Sequence, residues 1–278
     1  MTTYLKTDWD IDSIELVDLY DELPLWAAPF GLRLLEGIEY RKGIKVLDVG
    51  FGAGFPLTEL AMRLGSSSKV YGIDPWEAAI DRTEKKIAFY GIKNAELIRG
   101  LCEAIPLADD SMDLVVSNNG LNNVSDLNQS LSECARVLKS GGQFIQTMNL
   151  NTSMMEFYTV MEEVLTRLEL EQAKISMRAH IDKKRKPLEG YLAQLESHGF
   201  RVKDVKQDQF EYRFVDGSTM FNHYFIRLAF IDAWKSLVPK VRQEEIFGLV
   251  EKELNTRAAK EGGLKLSVPF AVIDCRRA

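Results

Sequence analysis

A doubly wound α/β fold on a mostly parallel sheet is what this sequence predicts, and three observations carry that expectation. Lys45 to Val49 is an apolar run followed at once by Gly50, Gly52 and Gly54. Such a run reads as a buried parallel strand, and the glycines let the backbone turn sharply and come close to a ligand. Pro56 then opens a helix carrying Leu57, Leu60, Ala61 and Leu64 on one face, closed by Gly65. Second, Lys69 to Ile73 reads as a strand that delivers Asp74 to the carboxyl edge of the sheet, where folds of this kind bind their ligands. Third, strand and helix signals keep alternating. Ala95 to Gly100, Asp113 to Asn118 and Phe144 to Met148 suit the third to fifth strands. Leu127, Leu131, Ala135 and Leu138 mark a helix between the last two, with Gly141 and Gly142 expected to stop it.

The spacing of the glycines discriminates between ligands. A dinucleotide fingerprint wants G-x-G-x-x-G, so that a pyrophosphate can sit on the helix N-terminus. Here the third glycine comes one residue early, and Phe55 stands where that pattern wants glycine. Asp48 also ends the first strand just before the loop. A carboxylate there suits a cationic ligand better than a pyrophosphate, because like charges are costly in a partly desolvated cleft. S-adenosylmethionine brings an ammonium and a sulfonium and no phosphate.

With Leu101-Cys102-Glu103-Ala104-Ile105-Pro106-Leu107 after the third strand and Ala135-Arg136-Val137-Leu138-Lys139-x-Gly141-Gly142 after the fourth, residues 40–150 resemble the class I S-adenosylmethionine-dependent methyltransferases. Within them they resemble the branch that includes the ubiquinone- and menaquinone-biosynthesis C-methyltransferases. The resemblance implies a Rossmann-like seven-stranded sheet with the last strand antiparallel. It also implies that Asp74 accepts both ribose hydroxyls, that Asp48 and the backbone of Gly50 and Gly52 hold the methionine end, and that Cys102 lies along the adenine. Gly54, Pro75, Trp76, Glu103, Ser117 and Asn118 complete the implied cofactor set. Three departures stand out. Leu101 replaces the aspartate with which many relatives accept the adenine amino group, so that contact comes from Glu103, from a backbone carbonyl, or not at all. Phe51 fills a loop position often held by a small residue. Asn118-Asn119-Gly120-Leu121-Asn122-Asn123 replaces a histidine-bearing segment, so no histidine base is inherited there.

At 278 residues, 46% apolar and 27% charged, the chain can bury a sizeable core. A single methyltransferase-like domain is expected over residues 1–278. The net charge of −6 argues against a nucleic-acid binder, since phosphate contacts need a basic surface. The one dense basic run, Lys183 to Lys186, reads as a solvated face, with capture of an anionic substrate as the alternative. Cys102, Cys134 and Cys275 form no pair pattern and no metal spacing, and an odd count suits a reducing cytoplasm. His180, His198 and His223 are far apart in sequence, so no metal is expected. No charged-then-apolar leader opens the chain and no apolar run approaches the roughly 20 residues of a membrane span, so the expectation is a soluble, cytoplasmic protein. Oligomeric state leaves no signal in the sequence.

Material added around the 41–150 core is where an acceptor should be decided. In residues 1–40, Asp12 with Glu15 resembles a capping box for a helix carrying Ile14, Val17 and Leu19, ended by Pro24. A second helix runs through Leu34, Leu35 and Ile38, and Tyr20 and Trp26 are candidates to line the cofactor pocket. Residues 151–206 should hold an amphipathic helix from Thr152 to Glu171, a helix from Leu188 to Ser197, and a sixth strand from Phe200 to Val205. Residues 207–266 read as an aromatic-rich insertion, either a lid or substrate wall, or a self-contained helical cap or dimer contact. It begins with a separate strand, Phe210 to Phe214, with three aromatics on one face. Asp216-Gly217 reads as a turn, and Leu228 to Leu237 as a helix that Pro239 ends. Residues 267–278 supply the last strand, Ser267 to Cys275.

The implied chemistry is a displacement at carbon. A methyl group on a sulfonium is already activated, so the protein mainly holds donor and acceptor in line and keeps water out. The acceptor is expected to be a small molecule, apolar or aromatic if the insertion contributes to its site. A base is needed only if the acceptor keeps its proton, and the candidates are His223, Tyr20, Asn119 and Asn122. Two rivals remain open at this point. One is a cofactor-binding protein of the same fold with other chemistry or a non-catalytic role. The other is a nicotinamide-dependent oxidoreductase, against which the early third glycine and Asp48 speak.

Overall fold

A computed structural model describes residue 5 and residues 10–21, 25–184 and 187–278. In chain order its elements are α1 (Ile14–Asp21), α2 (Ala27–Glu36), β1 (Lys45–Val49), α3 (Leu57–Leu64), β2 (Lys69–Asp74), α4 (Glu77–Tyr90), β3 (Ala95–Arg99), β4 (Met112–Asn118), α5 (Leu127–Val137), β5 (Leu138–Asn149), α6 (Met155–Arg167), α7 (Glu171–Lys184), α8 (Leu188–Ser197), β6 (Phe200–Phe214) and α9 (Gly217–Asn222). Then α10 (Tyr224–Ile226) passes through a π-helical turn (Arg227–Ile231) into α11 (Asp232–Lys235), followed by α12 (Gln243–Glu261) and β7 (Leu264–Arg277).

The seven strands form one sheet in the order β3-β2-β1-β4-β5-β7-β6. β1 pairs in parallel with β2 and β4, and β5 pairs in parallel with β4 but antiparallel with β7, Phe144 lying opposite Cys275. Strand order therefore reverses between β1 and β4, which leaves a crevice at their carboxyl ends. The strands there are buried on both faces, Val46, Leu47, Val115 and Val116 all at 0% exposure. That is why the sequence reads as apolar runs rather than alternation.

Tertiary contacts divide the chain into two compact units. The first holds Ile11–Asn149, Pro187–Asp208 and Phe270–Ala278, and the second Met1–Asp10, Leu150–Lys186 and Gln209–Pro269. In the first unit α3 buries Leu57, Leu60 and Ala61, and α5 buries Leu131, Cys134 and Val137. Phe144 of β5 stacks on Phe200 of β6 with centroids 4.5 Å apart. The second unit has its own aromatic core around Trp234. Phe157 stacks on that ring at 3.8 Å, Phe230 lies over it at 5.5 Å, and its indole N–H donates to the Tyr158 hydroxyl at 3.1 Å. Along β6 the rings of Phe210, Tyr212 and Phe214 follow one another at 5.7 and 6.2 Å, as side chains two apart on a strand do.

Several local expectations are corrected. β6 is one strand of 15 residues, not two, because its polar middle, Lys206 to Gln209, lies on the last strand of the sheet, where one side needs no apolar cover. The expected helix from Thr152 to Glu171 is α6 alone, broken near Glu169, whose φ is 55°, and α7 follows it. α7 escaped notice because its polar sequence buries little beyond Ala173 and Met177. α12 was also missed, although Ile246, Phe247, Val250, Leu254 and Ala258 carry its helical spacing. Gly141 does not stop α5. The helix ends at Val137, and Gly141, at φ 72°, lies inside β5. Asp216 caps α9 through the Thr219 amide instead of making a turn, and Ser13, not Asp12, caps α1 by accepting from the Leu16 amide. Pro24, Arg185 and Lys186 lie outside the described residues.

Truncating Phe144 to Ala removes a fully buried ring and its stacking on Phe200 at once. The expected cost is about 3–5 kcal/mol, read as a lowered urea midpoint at unchanged m-value.

Candidate cofactor and active site

The crevice at the carboxyl ends of β1, β2 and β4 is a cavity of about 430 Å³ within the first unit. That size suits a small-molecule site. Its wall includes Trp26, Gly50, Gly52, Asp74, Pro75, Trp76, Leu101, Cys102, Glu103, Asn118, Asn119 and Gly120. Among the sequence candidates, Gly50, Gly52, Asp74, Pro75, Trp76, Cys102, Glu103, Asn118 and Asn119 are thus brought together.

Its floor is a contact between two loops. A Cβ on Gly120 would lie 2.2 Å from the Val49 carbonyl oxygen, and one on Gly50 would lie 2.6 Å from the Gly120 Cα. Only glycines let these backbones meet. Ser117, fully buried, ties the loops together. Its hydroxyl donates to the Val49 carbonyl at 3.0 Å and accepts from the Leu121 amide at 3.1 Å. Ser117 therefore stands behind the cavity wall. Gly54 does so too, its Cβ position meeting Thr83 at 3.1 Å. Thr83 donates to the Gly52 carbonyl and Lys86 to the Ala53 carbonyl, so α4 fixes the outward carbonyls of the loop. At Gly52, by contrast, φ is 51° and no protein atom lies within 4 Å of a Cβ, so open space faces this glycine. Phe51 is a packing residue. Together with Leu57 it fills the room left by the missing side chain of Gly72 on β2.

Asp74 is held by two amides, Gly52 N–H to Oδ2 and Trp76 N–H to Oδ1, each at 2.8 Å. An ionised carboxylate has about four acceptor positions, so one on each oxygen stays open for a pair of hydroxyls. Burial raises the Asp74 carboxyl above its usual value, and the two amides oppose that rise. Trp76 is anchored in turn through its indole N–H on the Ile11 carbonyl.

The opposite ends of the cavity differ in character. Glu103 Oε1 accepts from the Ser125 and Asp126 amides at 2.9 and 3.0 Å, so this carboxylate organises the start of α5. Cys102 Sγ lies 3.8 Å from Cys134 Sγ, and that contact together with burial holds the Cys134 thiol well above its usual range. Cys134 therefore rests as a thiol. On the β4 side Asn118 donates to the Ala27 carbonyl and accepts from Thr147. Asn119 takes a left-handed conformation, φ 63°, and Asn122 donates to its side-chain oxygen at 2.9 Å.

The remaining candidates are dispersed. Asp48 is fully buried, does not line the cavity, and neither of its oxygens has a hydrogen-bond partner. Asn122 supports Asn119 without reaching the wall. His223 belongs to the second unit, its ring 5.4 Å from that of Phe214, and burial lowers its pKa, which leaves the imidazole neutral at pH 7. The side chain of Tyr20 lies outside the described residues. Sequence reasoning missed Gly120. A lone glycine in an asparagine run is visible, but only its contact with Gly50 gives it a purpose. Among the described residues, no group of three or more His, Cys, Asp or Glu is placed to hold a metal ion. No helix among them is long and apolar enough to cross a membrane.

Gly120→Ala must push one backbone away from another, and neither can yield as a flexible side chain would. The expected loss is roughly 1–3 kcal/mol of stability by thermal or urea unfolding. Gly248→Ala, inside α12 with nothing within 4 Å of the added Cβ, is the control and should lose no stability, since alanine suits a helix interior better than glycine.

A family profile described as a methyltransferase domain matches residues 40–216, more than half of the chain. The demethylmenaquinone methyltransferase of Staphylococcus aureus is 36% identical over 134 residues, which are 48% of this chain and 53% of that protein. The ubiquinone/menaquinone biosynthesis C-methyltransferase of Geotalea daltonii is 37% identical over 111 residues, 39% of this chain and 46% of that protein. The chain thus spans about half the length of the curated relatives it matches. Among solved structures, the YcgJ protein from Bacillus subtilis superposes with a TM-score of 0.59 at 17% identity, over 89% of this chain and 97% of that one, a likeness of fold. On the extent of the profile match, the chain belongs to the methyltransferase-domain family.

Proposed function

We propose that the chain transfers the methyl group of S-adenosylmethionine, bound in the β1–β2–β4 cavity, to a carbon of a small aromatic acceptor of the quinol class. The observation that carries the donor half is the pair of open acceptor positions on Asp74 beside an open glycine at position 52. The acceptor half rests on the relatives named as demethylmenaquinone and ubiquinone/menaquinone C-methyltransferases.

The residues fit such a donor. Asp74 takes the two ribose hydroxyls, and the ordered amides of Gly52 and Trp76 keep its carboxylate pointed at them. Gly50 and Gly52 let the methionine end lie against backbone, and Asn118, Asn119 and Gly120 close the β4 side. Trp26, Trp76 and Leu101 supply apolar wall that keeps water from the site. When bound, the donor supplies a methyl group already activated by its sulfonium charge.

Among the described residues, the cavity wall carries no histidine or lysine, and its carboxylates, Asp74 and Glu103, are both engaged by backbone amides. This favours an acceptor that needs no base from the wall. A quinol ring carbon beside an ionised hydroxyl is nucleophilic by itself, so the protein's contribution is alignment and the exclusion of water.

Calorimetric titration with S-adenosylhomocysteine checks the donor site. Asp74→Ala should weaken binding by about tenfold to a hundredfold, as lost hydrogen bonds to a charged group do. Unchanged affinity would place the ribose elsewhere. Incubation with methyl-labelled S-adenosylmethionine and a 2-prenyl-1,4-dihydroxynaphthalene should put label on the ring carbon at position 3. Intact donor binding without labelling of this quinol would overturn the acceptor class alone.

A further inference from the structure

Two carboxyls lie on one face of the sheet beneath the glycine loop. Asp48 on β1 stands in register with Gly72 on β2, and side chains two apart on a strand share a face, so Asp74 points to the same side as Asp48. Their surroundings are opposite. Asp74 accepts two backbone N–H groups. Asp48 is at 0% exposure, and neither of its oxygens has a hydrogen-bond partner.

Among the described residues, the groups around Asp48 leave it no counter-charge. From β2 it faces Asp74, a like charge, and its register neighbour on β4 is Val116. From α3 the Leu57 amide eases the burden without reaching full hydrogen-bond geometry. Lys86 of α4 donates to the Ala53 carbonyl. A buried acid with no donor and a carboxylate for a neighbour holds its proton, and burial first, then Asp74, pushes the Asp48 carboxyl well above its usual range. Where environments drive two carboxyls apart in this way, one stays ionised and the other neutral.

We infer that Asp48 is the neutral member of this pair in the empty site and releases its proton when a cation binds against the glycine loop, so that the cavity discriminates the charged methyl donor from its uncharged demethylated product. The inference rests on the cavity being the donor's site. The balance is simple: protonated site plus S-adenosylmethionine, net charge +1, gives the Asp48 carboxylate with the bound donor, and one proton passes to the buffer. S-adenosylhomocysteine, net charge zero, lacks the sulfonium and draws the proton off less. Transfer of the methyl group therefore removes the charge that paid for ionising Asp48, and the product is held less firmly than the donor.

Calorimetric titration of the whole chain, without acceptor, in two buffers of different ionisation enthalpy counts the protons. Wild type should release close to one proton with S-adenosylmethionine and distinctly fewer with S-adenosylhomocysteine. Donor affinity should rise with pH, approaching tenfold per unit between the Asp48 pKa of the donor-bound site and its higher value in the empty site, with a flatter profile for the product. Asp48→Asn should abolish the release, flatten the donor profile and shrink the donor-to-product affinity ratio. Equal proton counts for the two ligands, no release with either, or release that persists in Asp48→Asn would each overturn the inference while leaving the donor site standing. The wild-type counts decide the matter even if the variant fails to fold. Failure of both ligands to bind wild type would overturn the donor site and the inference together.

Discussion

The meeting of Gly50 and Gly120 is the contact on which the site depends. β1 and β4 are neighbours at the point where strand order reverses, and each leaves the sheet through a loop. Those loops approach until one backbone lies where the other's side chain would be. Ser117 then locks the approach with one hydroxyl, which donates to the Val49 carbonyl and accepts from the Leu121 amide. Had either loop carried a Cβ, the crevice would be wider, and the amides of the glycine turn would no longer face a defined space. The remaining features elaborate this floor. Thr83 and Lys86 of α4 bind the outward carbonyls of the loop, and Asp74 binds its inward amide at Gly52.

Charge is arranged in the same economical way. Each carboxylate at the wall is held by a pair of backbone amides, Asp74 by those of Gly52 and Trp76 and Glu103 by those of Ser125 and Asp126. Such bonds hold a carboxylate in place without introducing a competing side-chain cation. Asp48, one strand away from Asp74, has no such support. An acid denied donors and water is neutral until something positive arrives, so the strand that carries the glycine loop also carries a group able to respond to charge on its far side.

The parts of the molecule differ in how openly the sequence expresses them. β1, β2, β4 and β5 are buried on both faces or nearly so, and burial forces apolar runs with glycine and proline at their ends, which is a local signal. The placement of Asp74 at the end of β2 is equally local, since it follows from where a strand stops. α7 and the middle of β6 gave little signal because they bury little, and polar helices and edge strands look alike until their partners are known. Phe51 and Leu101 both stood out as departures. One turned out to fill the room beside Gly72, and the other to form apolar cavity wall.

By itself the sequence determined the order of β1 to β5 with α3 and α5 (though not α4) among them, the glycine loop, the acid after β2 and, through the match of residues 40–216, the family. These are properties of consecutive residues, set by backbone conformation and by the period of burial. Only the tertiary structure decided that Asp48 and Asp74, 26 positions apart, share one sheet face with opposite hydrogen bonding, that Gly120 exists for Gly50, and that Glu103 serves α5. It likewise decided that residues 209–269 gather with 150–186 around Trp234. Each of these depends on which atoms meet across the sheet or between helices, and hydrogen bonding, desolvation and steric exclusion act on distance in space, to which distance along the chain is no guide.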